Sequence, residues 1–147
     1  MIQIRPMTIE DCQTVHEIEQ ACFSNAWSLS MFEELFQYST NFYFVAEEEQ
    51  KICGFAGITT SIDTADVMNI GVQNGYRGRG IGRELLKHLM EQAVKCGCEQ
   101  IMLEVRESNH VARQLYRTSG FEEIAVRNNY YSQPTEHGII MRRILKS

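Results

Sequence analysis

The sequence predicts an α+β protein, a mixed sheet of about seven strands flanked by about four helices in the order βααβββαβαββ. Three observations predict it. Two extended apolar runs, "NFYFVAEE" and "KICGFAGITT", are joined by a short acidic turn and read as a hairpin. Ile81, Leu85, Leu86, Leu89, Met90, Ala93 and Val94 recur at helical spacing and form one apolar stripe. Beyond that stripe, strand-like and helix-like segments alternate to the end of the chain. At 147 residues, 44% of them hydrophobic, the chain suits a single domain over 1–147 with its own core.

Each element has a local cause. "IQIR" is a short first strand. Thr8 and Asp11 have capping-box spacing and open a helix in which Ile9, Val15, Ile18 and Cys22 fall near one face. Ser30 and Glu33 repeat the S-x-x-E signature ahead of Leu35 and Phe36, which marks a second helix. The hairpin follows, and "ADVMNIGV" adds a third strand to the meander. The striped helix ends at Gly97, a C-cap candidate. "QIMLEV" is a buried strand. "NHVARQLYRTSG" is a short helix capped by Asn109 and Gly120, and "FEEIAVR" and "GIIMRRI" close the sheet.

Composition narrows the function. A net charge of −5 argues against a nucleic-acid partner, because neutralising phosphates needs a basic surface. No run approaches the ~18–20 apolar residues of a membrane span. "MIQIRPMTIEDC" lacks a basic region followed by an apolar stretch, so the expected location is the cytoplasm. The five cysteines, Cys12, Cys22, Cys53, Cys96 and Cys98, form no disulfide-like framework and fit a reducing compartment. Cys96 and Cys98 are one residue apart, closer than zinc-site spacing, so no metal is expected.

The most informative stretch is "NIGVQNGYRGRGIGRELL", where half of the ten glycines fall between Gly71 and Gly82. A strand, a glycine-rich turn and a helix N-terminus together make an anion cradle. The first helical amides have no internal acceptor, and the helix dipole puts partial positive charge there. Arg77, Arg79 and Arg83 can add charge. The P-loop pattern requires Lys then Ser or Thr where Arg83-Glu84 stand, and the dinucleotide fingerprint fails after Gly82.

Arg77, Gly80 and Gly82 do fit R-x-x-G-x-G, and with the preceding strand the stretch resembles the acetyl-CoA pyrophosphate loop of the GNAT superfamily of N-acetyltransferases. The resemblance runs along nearly the whole chain. "LEVRESNHVARQLYRTSGF" and "RNNYYSQPTEHGIIM" are similar to its RimI-type branch, the ribosomal-protein alanine N-acetyltransferases. It implies a GNAT-like, mostly antiparallel sheet and acetyl-CoA as the donor. It also implies a monomer that binds the N-terminal segment of a ribosomal protein and acetylates its α-amino group. Acetylation of lysine or a small amine by the same fold, and a non-catalytic acyl-CoA-binding module, are the alternatives.

The resemblance also implies roles. Ile70, Gly71 and Val72 lie on the strand that faces the acetyl thioester and pantetheine. Arg77, Gly78, Arg79, Gly80, Ile81 and Gly82 cradle the pyrophosphate. Asn109 contacts the pantetheine arm, a role compatible with capping its helix. Glu104 is the general base acting through water, where its residue type alone reads equally as solvent-facing or paired with Arg106. Tyr116 protonates the departing thiolate, where sequence alone reads it as core. Tyr130 and Tyr131 line the acceptor peptide or form an exposed aromatic loop. No cysteine has an adjacent base or a helix N-terminus to lower its pKa, so direct attack in a ternary complex is expected over an acetyl-cysteine route. The chain departs from the branch at Ala26 before Trp27, at Glu136-His137 and at "VQNGYRG", which lacks His-Pro.

Overall fold

Seven strands make one sheet in this computed structural model, which describes residues 1–132 and 134–145. They are β1 (Gln3–Pro6), β2 (Asn41–Glu48), β3 (Lys51–Thr60), β4 (Thr64–Val72), β5 (Gln100–Arg106), β6 (Glu122–Tyr131) and β7 (Glu136–Ile144). The helices are α1 (Cys12–Cys22), α2 (Leu29–Glu34), α3 (Ile81–Lys95) and α4 (His110–Thr118). The strand order is β1-β2-β3-β4-β5-β7-β6, with β4–β5 parallel and every other pair antiparallel. The architecture is therefore the mixed, mostly antiparallel α+β sheet that the sequence predicts. Of the expected domain span, Gln133, Lys146 and Ser147 lie outside the described residues.

Alternation along the strands sorts side chains into two cores, one on each face of the sheet. Ile81, Leu85, Leu86, Leu89 and Ala93 of α3 and Tyr116 of α4 pack with Ala46, Ala56, Ile58, Ile101, Leu103 and Val105 on one face. Val15 and Ile18 of α1 and Phe32 of α2 pack with Tyr43, Val45 and Phe55 on the other. The β2–β3 turn has Glu49 and Gln50 both at positive φ, the two-residue primed-turn geometry that matches strand twist.

Several boundaries differ from the sequence reading. Ser28, not Ser30, caps α2, its Oγ accepting from Met31 N–H at 3.3 Å, and Phe32 rather than Phe36 is the buried anchor. Ile9 precedes α1 in a 3₁₀ turn and is exposed, as is Val94 at the end of the α3 stripe. β6 runs to Tyr131 instead of Arg127. It is an edge strand with two register irregularities, and these break the period-2 pattern by which a strand is read.

The sheet opens at its centre. β4 and β5 pair only through Thr64–Asp66 and Gln100–Met102, yet β4 continues to Val72 and β5 to Arg106. A bulge at Met68 shifts β4 against β3, so that Ile58 pairs with Val67 and Gly57 with Asn69. Bulges bend the strand that carries them. Beyond the last shared pair the two strands part, leaving a cleft bordered by β4 on one side and β5 on the other. The glycine-rich turn to α3 leaves from the end of β4, and α4 follows the end of β5.

Candidate active site

The glycine-rich turn ends with Gly80 as the N-cap of α3, at φ 81° and ψ 10°. The first helical bond runs from Glu84 N–H to the Gly80 carbonyl at 3.1 Å, so the amides of Ile81, Gly82 and Arg83 have no helical acceptor. Gly78 and Gly80 both have positive φ, and a Cβ at Gly75, Gly78 or Gly80 would meet nothing within 4 Å. Free amides, a helix dipole and open space above them suit a diphosphate. The arginines are engaged within the chain. Arg79 makes a bidentate pair with Glu48 at 2.6 and 3.1 Å, Arg77 Nε donates to the Val72 carbonyl at 3.1 Å, and Arg83 donates to Thr118 Oγ1 at 2.8 Å. The donors that this turn leaves unengaged are thus the backbone amides of Ile81, Gly82 and Arg83.

Ile70, Gly71 and Val72 follow the Met68 bulge and pair only with β3, so their other backbone edge faces the cleft. Beneath them lies a polar network that sequence reasoning missed. Tyr43 Oη donates to Asn69 Oδ1, Asn69 Nδ2 donates to Glu19 Oε1 at 3.3 Å, and Trp27 N–H donates to Glu19 Oε2 at 2.9 Å. All three side chains are buried. Burial pushes the Glu19 carboxyl above the usual range despite these donors. The network ties the α1–α2 connection to the strand that lines the cleft.

Glu104 projects from β5 on the face opposite Leu103 and Val105. Its Oε2 is buried and makes no hydrogen bond among the described residues. Arg127 Nε lies 3.4 Å away, an ionic contact without hydrogen-bond geometry, so Glu104 pairs with Arg127 rather than with Arg106. Burial raises the Glu104 carboxyl pKa, partly offset by the Arg127 charge. Space for the carboxylate comes from Gly138 on β7, where a Cβ would stand 2.6 Å from Glu104 Oε2.

Tyr116 on α4 is buried beside Phe121, with ring centroids 5.9 Å apart. Burial, with Tyr131 adding to it, pushes its phenol above the ordinary value, so it stays protonated at neutral pH. Tyr131 links the two candidates. Its own phenol is pushed up to about 12, by burial first and then by the Glu104 charge. Asn109 caps α4 through Oδ1, which accepts from Ala112 N–H at 3.1 Å.

Tyr130 and Tyr131 end β6, packed edge to face at 5.0 Å. Arg106, which sequence alone offers as a partner of Glu104, instead holds the β6–β7 connection. It donates to the carbonyls of Ser132 at 2.7 Å and Pro134 at 2.9 Å, pairs with Glu136 at 3.1 Å, and stacks on Tyr131 at 4.6 Å. Asn25, in the α1–α2 connection, donates to the same Ser132 carbonyl at 3.0 Å. The α1–α2 and β6–β7 connections therefore meet at the Arg106 guanidinium, two residues along β5 from Glu104. Of these residues, Arg127 and Gly138 lay inside the quoted "RNNYYSQPTEHGIIM", but only the strand pairing shows what they face.

Among the described residues no cluster of His, Cys, Asp and Glu is arranged to hold a metal ion. Residues 12–121 match the Acetyltransferase (GNAT) family. The chain is 35% identical over 138 residues to a [ribosomal protein bS18]-alanine N-acetyltransferase of Escherichia coli (strain K12), spanning 94% of this chain and 91% of that one. A [ribosomal protein bS18]-alanine N-acetyltransferase of Haemophilus influenzae is 36% identical over 134 residues, covering 89% and 90%. The crystal structure of the ribosomal-protein-S18-alanine N-acetyltransferase from Escherichia coli superposes with a TM-score of 0.92 at 33% identity, covering 100% of this chain and 96% of that one.

Proposed function

This chain belongs to the GNAT family and is an acetyl-CoA-dependent N-acetyltransferase, and from that premise we propose that its acceptor is the N-terminal α-amino group of a ribosomal protein. The observation that carries the reading is the end-to-end likeness, at about one residue in three, to enzymes named [ribosomal protein bS18]-alanine N-acetyltransferase. A lysine or small-amine acceptor, or a binding module without chemistry, has no comparable support.

The cofactor supplies an activated acetyl thioester. The free amides of Ile81, Gly82 and Arg83 hold its diphosphate, with Gly78 and Gly80 keeping the backbone open. The edge of Ile70–Val72 that no strand pairs, apart from the Val72 carbonyl held by Arg77, aligns the acyl end, and Asn109 meets the pantetheine arm. Preorganised backbone donors of this kind commonly supply a large share of catalysis. Glu104 takes the proton that the amine sheds as its nitrogen bonds to the acetyl carbon. Tyr116 donates a proton to the sulfur as the carbon–sulfur bond breaks. Tyr130 and Tyr131 flank the incoming peptide.

An α-amine suits this base. With a pKa near ~8, about a tenth is already neutral at pH 7, against roughly one lysine side chain in 2,500 at ~10.4. We place the reaction in the cytoplasm, with a monomer acting on the protein rather than on nucleic acid. Among the described residues no helix is long and apolar enough to cross a membrane.

The test is thiol release from acetyl-CoA with peptides opening in Ala, Ser or Met, with N-terminally blocked lysine peptides, and with spermidine. Release only from free N-termini is the expected result. Release from lysine or spermidine alone would overturn the acceptor while leaving the donor in place.

A further inference from the structure

We propose that Arg127 is a positioning residue of the acceptor site, its guanidinium holding the place beside Glu104 that the α-ammonium of the acceptor takes on binding. This rests on Glu104 being the base. Arg127 sits on β6 and Glu104 on β5, with β7 between them. The reach across β7 is possible because Gly138 pairs with both Arg127 and Arg106 and carries no side chain to block it. A Cβ there would press on the Glu104 carboxylate itself.

The contact is built to be given up. Arg127 meets Glu104 Oε2 at 3.4 Å without a hydrogen bond, and its side chain is 56% exposed, so water receives it when it leaves. Its flat face lies over Tyr130 at 4.8 Å, which holds the guanidinium at the cleft without a second ionic partner. The cation two residues along on β5, Arg106, is committed to Glu136, Ser132, Pro134 and Tyr131. The ionisable groups tied to Glu104 are Arg127 and Tyr131, both from β6, while Arg106 on its own strand is paired with Glu136 of β7. A buried carboxylate oxygen with an easily displaced cation beside it accepts another cation by exchange.

The experiment compares wild type, Arg127→Gln, Arg127→Lys and Glu104→Gln on an alanine-initiated peptide. It reads kcat and acceptor KM, together with the titration of the Glu104 carboxyl followed by ¹³C NMR in the free enzyme. For Arg127→Gln the acceptor KM falls about two- to five-fold, the range an exposed ion pair supports. The Glu104 carboxyl then titrates higher, having lost its cation. Arg127→Lys restores both. A KM that rises or stays put in Arg127→Gln, with the Glu104 titration unmoved, overturns the proposal and leaves Arg127 as a wall of the peptide site. Wild-type turnover in Glu104→Gln, whatever Arg127 does, overturns the reading of Glu104 instead.

Discussion

Gly138 of β7 lies against the Glu104 carboxylate so closely that a Cβ at position 138 would stand 2.6 Å from Glu104 Oε2. The atom in the way is the far end of a flexible side chain, so Gly138→Ala folds with little loss of stability. The carboxylate, however, must move. Displacing a reacting group by about 1 Å costs on the order of 10²-fold. Gly138→Ala is expected to lose about that in kcat, with a melting temperature close to wild type. Steady-state thiol release and thermal denaturation followed by circular dichroism check the two halves separately.

Glu104→Gln keeps the shape and removes the base. Turnover is expected to fall by ~10²–10⁴-fold, the usual contribution of a positioned acid–base group. The raised pKa fixes the sign of a second effect. A carboxyl whose folded pKa exceeds its unfolded value binds its proton more tightly when folded, so its contribution to stability is present at low pH and is lost as pH rises through the folded value. At neutral pH the variant is therefore as stable as wild type or more so, while below the unfolded carboxyl pKa, ~4.3, that advantage disappears. Urea denaturation of both proteins at pH 4 and pH 7 measures the crossover.

The contrast between these two residues shows what a sequence can carry. Glu104 announces itself because a charged residue interrupts the apolar "MLEV", and the β2–β3 hairpin is read to the residue because its two halves are unbroken apolar runs. Gly138 says nothing on its own, since its role is set by a partner 34 positions away. The Glu19–Asn69–Tyr43 network is equally silent: three polar residues on three elements acquire a common role only when α1 packs against the sheet. Edge strand β6 reads as ending at Arg127 because its bulges destroy the alternation beyond it. Local spacing therefore reveals caps, stripes and the glycine turn, whereas contacts across the sheet appear only once the register is fixed.

Tyr116 makes no hydrogen bond through its hydroxyl among the described residues, and its ring fills the core beside Phe121. Removing the hydroxyl thus leaves no donor or acceptor stranded, and Tyr116→Phe is expected to match wild type in stability. Its raised pKa keeps the phenol protonated across the working range, as a proton donor requires. Turnover in Tyr116→Phe falls by about 10²-fold or more with the KM for acetyl-CoA unchanged. Unaltered turnover would remove Tyr116 from the chemistry and leave it as packing.

The glycine turn separates the demand for space from the demand for a backbone angle. A Cβ at Gly75 and one at Gly80 both meet nothing within 4 Å, but only Gly80 has a positive φ, 81°. Gly75→Ala should therefore be silent in stability. Gly80→Ala carries the left-handed penalty of roughly 1–2 kcal/mol, a fall of about 3–6 °C in melting temperature for a chain this long. Relieving that penalty rotates the N-cap out of the left-handed region and turns the amides of Ile81 and Gly82 with it, so CoA binding weakens about tenfold while kcat at saturating acetyl-CoA is held. Calorimetric titration of CoA into both variants decides the matter. Equal affinity in Gly80→Ala and wild type would mean that the α3 amides are not the groups that hold the diphosphate.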